Sequence, residues 1–109
     1  DTAVRGNMKE NFYHGMLLGL LRSQGSWLVK SNAETGEGYS DISIQTPDRV
    51  GMIIELKYAE DGNLEAACAK ALNQIEEKKY AEGLKRRGVK KMMKYGIAFC
   101  EKECMVVLA

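Results

Sequence analysis

The sequence predicts a single layered domain of α/β or α+β class, with the element order α-β-β-β-α-β-β. Three observations carry this: two stretches with apolar residues at helical spacing, five short runs of strand character, and turn chemistry between them. At 109 residues the chain can bury a core, and 45% hydrophobic with 28% charged residues is the make-up of an ordinary globular protein. No apolar run nears the roughly 18 residues of a membrane span, so no membrane association is expected.

Residues 8–24 place Phe12, Met16, Leu17, Leu20 and Leu21 at helical spacing, and Gly25 is a natural stop. Trp27-Leu28-Val29 opens a first strand running towards Glu34, and Thr35-Gly36-Glu37-Gly38 is a turn signal. Residues 39–46 alternate, with Ile42 and Ile44 on one face and Asp41, Ser43 and Gln45 on the other. After the turn at Pro47-Asp48-Arg49, residues 50–58 form a strand whose run Met52-Ile53-Ile54 predicts cover on both faces. Asn63 can cap the next helix, 64–79, whose stripe includes Ala67, Ala71, Leu72 and Ile75 and which continues or restarts through Leu84. Strands 91–100 and 104–108 then read as a hairpin around Glu101-Lys102-Glu103.

The chain opens Asp1-Thr2 rather than with Met, and the expectation is one domain, residues 1–109, excised from a longer protein. Its three cysteines, Cys68, Cys100 and Cys104, form no CxxC pair, which argues against a disulfide framework or a structural zinc. Free thiols in a reducing cytoplasm are expected. Net charge is only +1, but its distribution is lopsided. Residues 1–77 hold 7 Lys/Arg against 12 Asp/Glu, whereas residues 78–109 hold 9 against 3. Lys79, Lys85, Arg86, Arg87, Lys90, Lys91 and Lys94 form a patch able to neutralise phosphates, or a solvated helix end.

The chemistry gathers on the second and third strands. Asp41 and Glu55 lie seven residues either side of Asp48, so a hairpin turning there sets them opposite each other, with Cβ atoms about 4.5–5.5 Å apart. Lys57 shares the face of Glu55, about 6.6 Å along the strand. Ile42, Ile44, Met52, Ile54 and Leu56 then share the other face, so one register explains both core and polar cluster. Two such carboxylates repel, and Mg²⁺ or Mn²⁺ between them suits all-oxygen ligands. Lys57 would relieve the repulsion and could position or deprotonate a water. On spacing alone, an ordinary surface ion pair accounts for the same residues.

Ser40-Asp41 and, with thirteen residues between Asp41 and Glu55, Ile54-Glu55-Leu56-Lys57 resemble the signature of the PD-(D/E)XK nuclease superfamily. Further segments resemble one subgroup, the bacterial nuclease-like domain C-terminal to AAA-ATPase-like regions. They are Glu10-Asn11-Phe12-Tyr13-His14-Gly15, Gly38-Tyr39-Ser40-Asp41, Gln74-Ile75-Glu76-Glu77-Lys78-Lys79-Tyr80 and Tyr95-Gly96-Ile97-Ala98-Phe99-Cys100. The resemblance implies a restriction-endonuclease-like core, a mixed central sheet flanked by helices. It implies Asp41, Glu55 and Glu10 as metal ligands, Lys57 as the catalytic lysine, and Gln74 as a helix glutamine of the site. Ser40 stands where the family name has proline. Tyr80 follows Gln74 by six residues rather than four, which puts the two on different helix faces.

The expected activity is hydrolysis of DNA phosphodiester bonds with Mg²⁺ or Mn²⁺, the basic segment holding the backbone. The alternative is a catalytically inactive nuclease-fold module that docks DNA or assembles a larger ATPase-containing protein. A fused or associated ATPase and a homodimer, formed through the apolar hairpin Met105–Leu108, are the partners expected besides DNA. His14, four residues after Glu10, shares its helix face, either serving the site or packing the helix.

Overall fold

The computed structural model describes residues 2–33, 40–78 and 80–109, with the side chains of 2–5, 7, 32, 33, 40, 41, 78 and 80 outside the description. In chain order the elements are α1 (Thr2–Arg22), β1 (Leu28–Ala33), β2 (Ser40–Gln45), β3 (Val50–Tyr58), α2 (Leu64–Lys78), α3 (Tyr80–Arg86), β4 (Lys91–Cys100) and β5 (Glu103–Leu108). The helix restart expected before Gly88 is α3. The turn expected at Thr35–Gly38 lies outside the described residues.

The strands form one five-stranded sheet in the order β1-β2-β3-β4-β5. The meander β1–β2–β3 is antiparallel, β3 and β4 are parallel, and β4 and β5 close as an antiparallel hairpin. The parallel pair needs a crossover, and α2 with α3 supplies it. Thus β3 is the central strand. Its even residues Met52, Ile54 and Leu56 join Val29, Ile42, Ile44 and Phe99 in a core under α1. On the opposite face Ile53 joins Ile75, Ala81 and Leu84 under α2 and α3. Period-two alternation therefore feeds two cores from one strand.

Local chemistry sets the element ends as expected. Asn63 Oδ1 accepts from the Ala66 N–H at 3.1 Å, capping α2. Gly96 matters for the layer spacing: a Cβ there would stand 2.6 Å from the Cys68 carbonyl oxygen, so only glycine lets α2 settle this close to β4.

The buried stripe of α1 differs from the periodicity reading. Leu17 and Leu21 pack inward with Tyr13 and Leu18, whereas Phe12, Met16 and Leu20 face outward. Apolar residues wrap most of this helix, so spacing leaves its rotation open. Tertiary contacts fix it. Tyr13 stacks on Phe99 with ring centroids 4.0 Å apart, and His14 Nε2 lies 3.3 Å from Ser31 Oγ on β1. His14 thus ties α1 to the sheet. The helix also begins at Thr2, six residues before the start of the stretch 8–24.

Candidate active site

The register of β2 on β3 pairs Ile42 with Ile54, Ser43 with Ile53, Ile44 with Met52 and Gln45 with Gly51. This is the hairpin alignment derived from the sequence. One step further along it, the Asp41 backbone comes level with Glu55, while the Asp41 side chain lies outside the described residues.

Glu55 and Lys57 point to the α2 face of β3. Glu55 is fully buried and Lys57 is 4% exposed, with Lys57 Nζ 4.0 Å from Glu55 Oε1. This excludes the surface ion pair as an account of the two. Removing a carboxylate and an ammonium from water costs several kcal/mol per ion, which their interactions in the fold must offset. The α1 face of the same strand carries no such burden.

Glu10 reaches the same neighbourhood from α1. Its Oε1 accepts from the Tyr58 N–H at 3.0 Å. The next amide, Ala59 N–H, donates to Phe99 of β4, so Tyr58 N–H points away from β4. Glu10 therefore caps the β2-facing side of β3 where that strand ends. The residue is 7% exposed, and its Oε2 is buried without a hydrogen-bond partner. Burial holds the Glu10 carboxyl above its ordinary value. The Tyr58 N–H, Lys57 and Lys70 pull it back, and Glu60 adds to the rise. The charge of Lys57 thus acts on two acidic side chains, Glu55 of its own strand and Glu10 of α1.

Gln74 sits on the flank of α2 turned away from the Leu72–Glu76 edge, where Leu72 lies over Gly96 and Glu76 pairs with Lys94 of β4. Its Oε1 is also buried without a hydrogen-bond partner. Ser43, buried on β2, shares the face of Glu55. Lys70, one turn before Gln74, acts on Glu10 but carries no sequence signal: it lies on the exposed flank of an ordinary amphipathic helix.

Lys85, Arg86, Arg87, Lys90 and Lys91 are exposed, and Lys79 lies outside the described residues. They sit at the other end of the sheet, since Lys91 pairs with Val50 at the start of β3. Five residues separate Val50 from Glu55, about 16 Å along an extended strand.

Do these residues fit a divalent metal? Among the described residues no group of three or more His, Cys, Asp or Glu converges. The third expected donor is Asp41, whose side chain is not described. What is described fits a hard cation: the donors are carboxylates, and one Glu10 oxygen is buried with nothing to bond.

A mixed five-stranded sheet flanked by helices, with a carboxylate and a lysine buried on its central strand, defines the class: a restriction-endonuclease-like core. The chain belongs to the PD-(D/E)XK nuclease superfamily, whose family model matches residues 8–108. Comparison with curated proteins and with solved structures gives no match.

Proposed function

We propose that this domain is a Mg²⁺- or Mn²⁺-dependent deoxyribonuclease, with Asp41, Glu55 and Glu10 as metal ligands and Lys57 as the catalytic lysine. The observation that carries this reading is the Glu55–Lys57 pair, buried at 4.0 Å on the central strand of a nuclease-superfamily fold. Such an arrangement is costly for stability alone and useful for chemistry.

When bound, a divalent ion would stabilise charge developing on the phosphate and lower the pKa of a bound water. The chain's own residues do the rest. Glu10 is held by the Tyr58 N–H, which leaves one carboxylate oxygen directed elsewhere. Lys57, beside Glu55, would orient a water and neutralise a phosphate oxygen. Gln74, with its unbonded carbonyl, would orient substrate or water beside them. The cluster Lys79, Lys85, Arg86, Arg87, Lys90 and Lys91 would hold flanking phosphates.

Cleavage of supercoiled plasmid and single-stranded DNA with Mn²⁺ tests this. Wild type should cut, and Asp41→Ala and Lys57→Ala should lower the rate by about 10²–10⁴-fold, the range of a lost acid–base group. Equal cutting by all three would end the assignment.

A second reading is a DNA-docking or assembly module without turnover, joined to an ATPase. The exposed basic cluster, remote from Glu55, favours it. It requires salt-sensitive DNA binding that survives Glu55→Ala. Under either reading the three free cysteines suit a reducing cytoplasm, and among the described residues no helix is long and apolar enough to cross a membrane.

A further inference from the structure

The sheet has one incompletely covered face. Helix α1 packs over β1, β2 and β3. Beyond it, Tyr95, Ile97 and Phe99 of β4 pair with Leu108, Val106 and Cys104 of β5 on the same side. A groove of 430 Å³ opens there, lined by Tyr13, Met16, Ile97, Phe99, Cys104 and Val106 among others. Two strands at about 4.8 Å spacing make a trough about 10 Å wide, the width of one helix.

The same molecule offers a helix to fill it. Met8, Phe12, Met16 and Leu20 recur every fourth residue on α1, which sets them in a ridge about 18 Å long. At 100° per residue Met8 and Phe12 lie nearly opposite the stripe that packs on the molecule's own sheet, and the ridge winds through Met16 towards the edge of that stripe at Leu20. The length matches β5, whose six residues extend about 20 Å. The four ridge residues with Val106 and Leu108 are 48–65% exposed. Taking large side chains at about 150–250 Å² each, the six present on the order of 500–900 Å² of surface. One partner of a standard interface contributes about 800 Å², about 65% of it apolar in homodimers, which is close to the same area.

We propose that a second copy of this chain covers this face. Each α1 lies in the trough over the other copy's β4–β5, so that two sheets enclose one shared layer of two helices. The contact is isologous: Met16 of one copy meets the Val106 side of the other, and the reverse. The edge strands need not pair. Glu55 and Lys57 lie beneath α2 on the opposite face of the sheet, outside this contact.

The test is mass in solution, with circular dichroism confirming that each variant folds. Wild type should sediment at twice 12.2 kDa at micromolar concentration. Met16→Glu and Val106→Lys, each alone, should weaken association at least tenfold and run as monomers. Mixed together they should regain a dimer, because one of the two equivalent contacts becomes Glu against Lys while the other stays wild type. A monomeric wild type, a dimer that survives Met16→Glu, or no gain on mixing would overturn the proposal. Plasmid cleavage is scored separately, so a dimer that does not cut rejects the nuclease reading alone.

Discussion

The two faces of β3 divide the molecule. Met52, Ile54 and Leu56 look towards α1 into a wholly apolar core, and each buried side chain of that kind contributes about 1.5–3 kcal/mol. Ile53, Glu55 and Lys57 look towards α2, and two of those three are ionisable. One strand thus carries a stabilising face and a costly one, a residue apart. Stability is concentrated under α1. Under α2 the apolar contacts of Ile53, Ile75 and Leu84 must also offset the desolvation of the polar pair.

The sharpest way to break this contrast is to make the two faces alike. Leu56→Ala should cost about 2–5 kcal/mol in chemical denaturation, as for any buried leucine. Lys57→Ala should cost about 3–5 kcal/mol, because it removes the cation beside a fully buried carboxylate. The double variant Glu55→Leu/Lys57→Met should instead be neutral or up to about 4 kcal/mol more stable than wild type, and inert towards DNA. If the double variant were as unstable as Lys57→Ala, the pair would be structural and the costly face would vanish from the account.

A smaller effect tests how α2 is held over that face. Gly96 pairs with Glu55 across β3 and β4, and a methyl group there would meet the Cys68 carbonyl. Gly96→Ala should push α2 outward and cost about 1–3 kcal/mol, with Glu55 gaining solvent. Unchanged stability would mean that the helix sits less tightly than its contacts indicate.

The smallest effect concerns Glu10. Its folded carboxyl titrates above the ordinary 4.5, chiefly through burial. The folded state therefore holds the proton more tightly than the unfolded chain. Stability contributed by this group is present below pH 4.5 and falls as pH rises through the folded value. Glu10→Gln keeps an oxygen for the Tyr58 N–H and removes the charge. In chelator, the variant should melt above wild type at pH 7, with the gap closing below pH 4.5. A gap of constant size across that range would place the effect elsewhere.

Much of the site was legible because it rests on local periodicity. The alternation in residues 39–46 and 50–58, with a turn at Asp48, was enough to set Ile42 against Ile54 and to separate the polar face from the apolar one. Glu10 and Gln74 came only through family resemblance, since no spacing rule links a helix residue to a strand 48 positions away. Lys70 was not found at all. Periodicity put Phe12, Met16 and Leu20 on one helix with Leu17 and Leu21 without choosing the buried face, because the apolar arc of α1 is wider than its buried one.

By itself, then, the sequence determined the strands, their register about Asp48, the apolar and polar faces of β3, and the family. These follow from side-chain alternation and turn chemistry, which act over a few residues. Only the tertiary structure decided how α1 is rotated, that Glu10 meets the Tyr58 N–H, that Lys91 lies level with Val50, about 16 Å along β3 from Glu55, and that Glu55 and Lys57 are buried. Those depend on which surfaces meet once the parallel crossover through α2 and α3 brings β4 beside β3. No local pattern encodes that meeting.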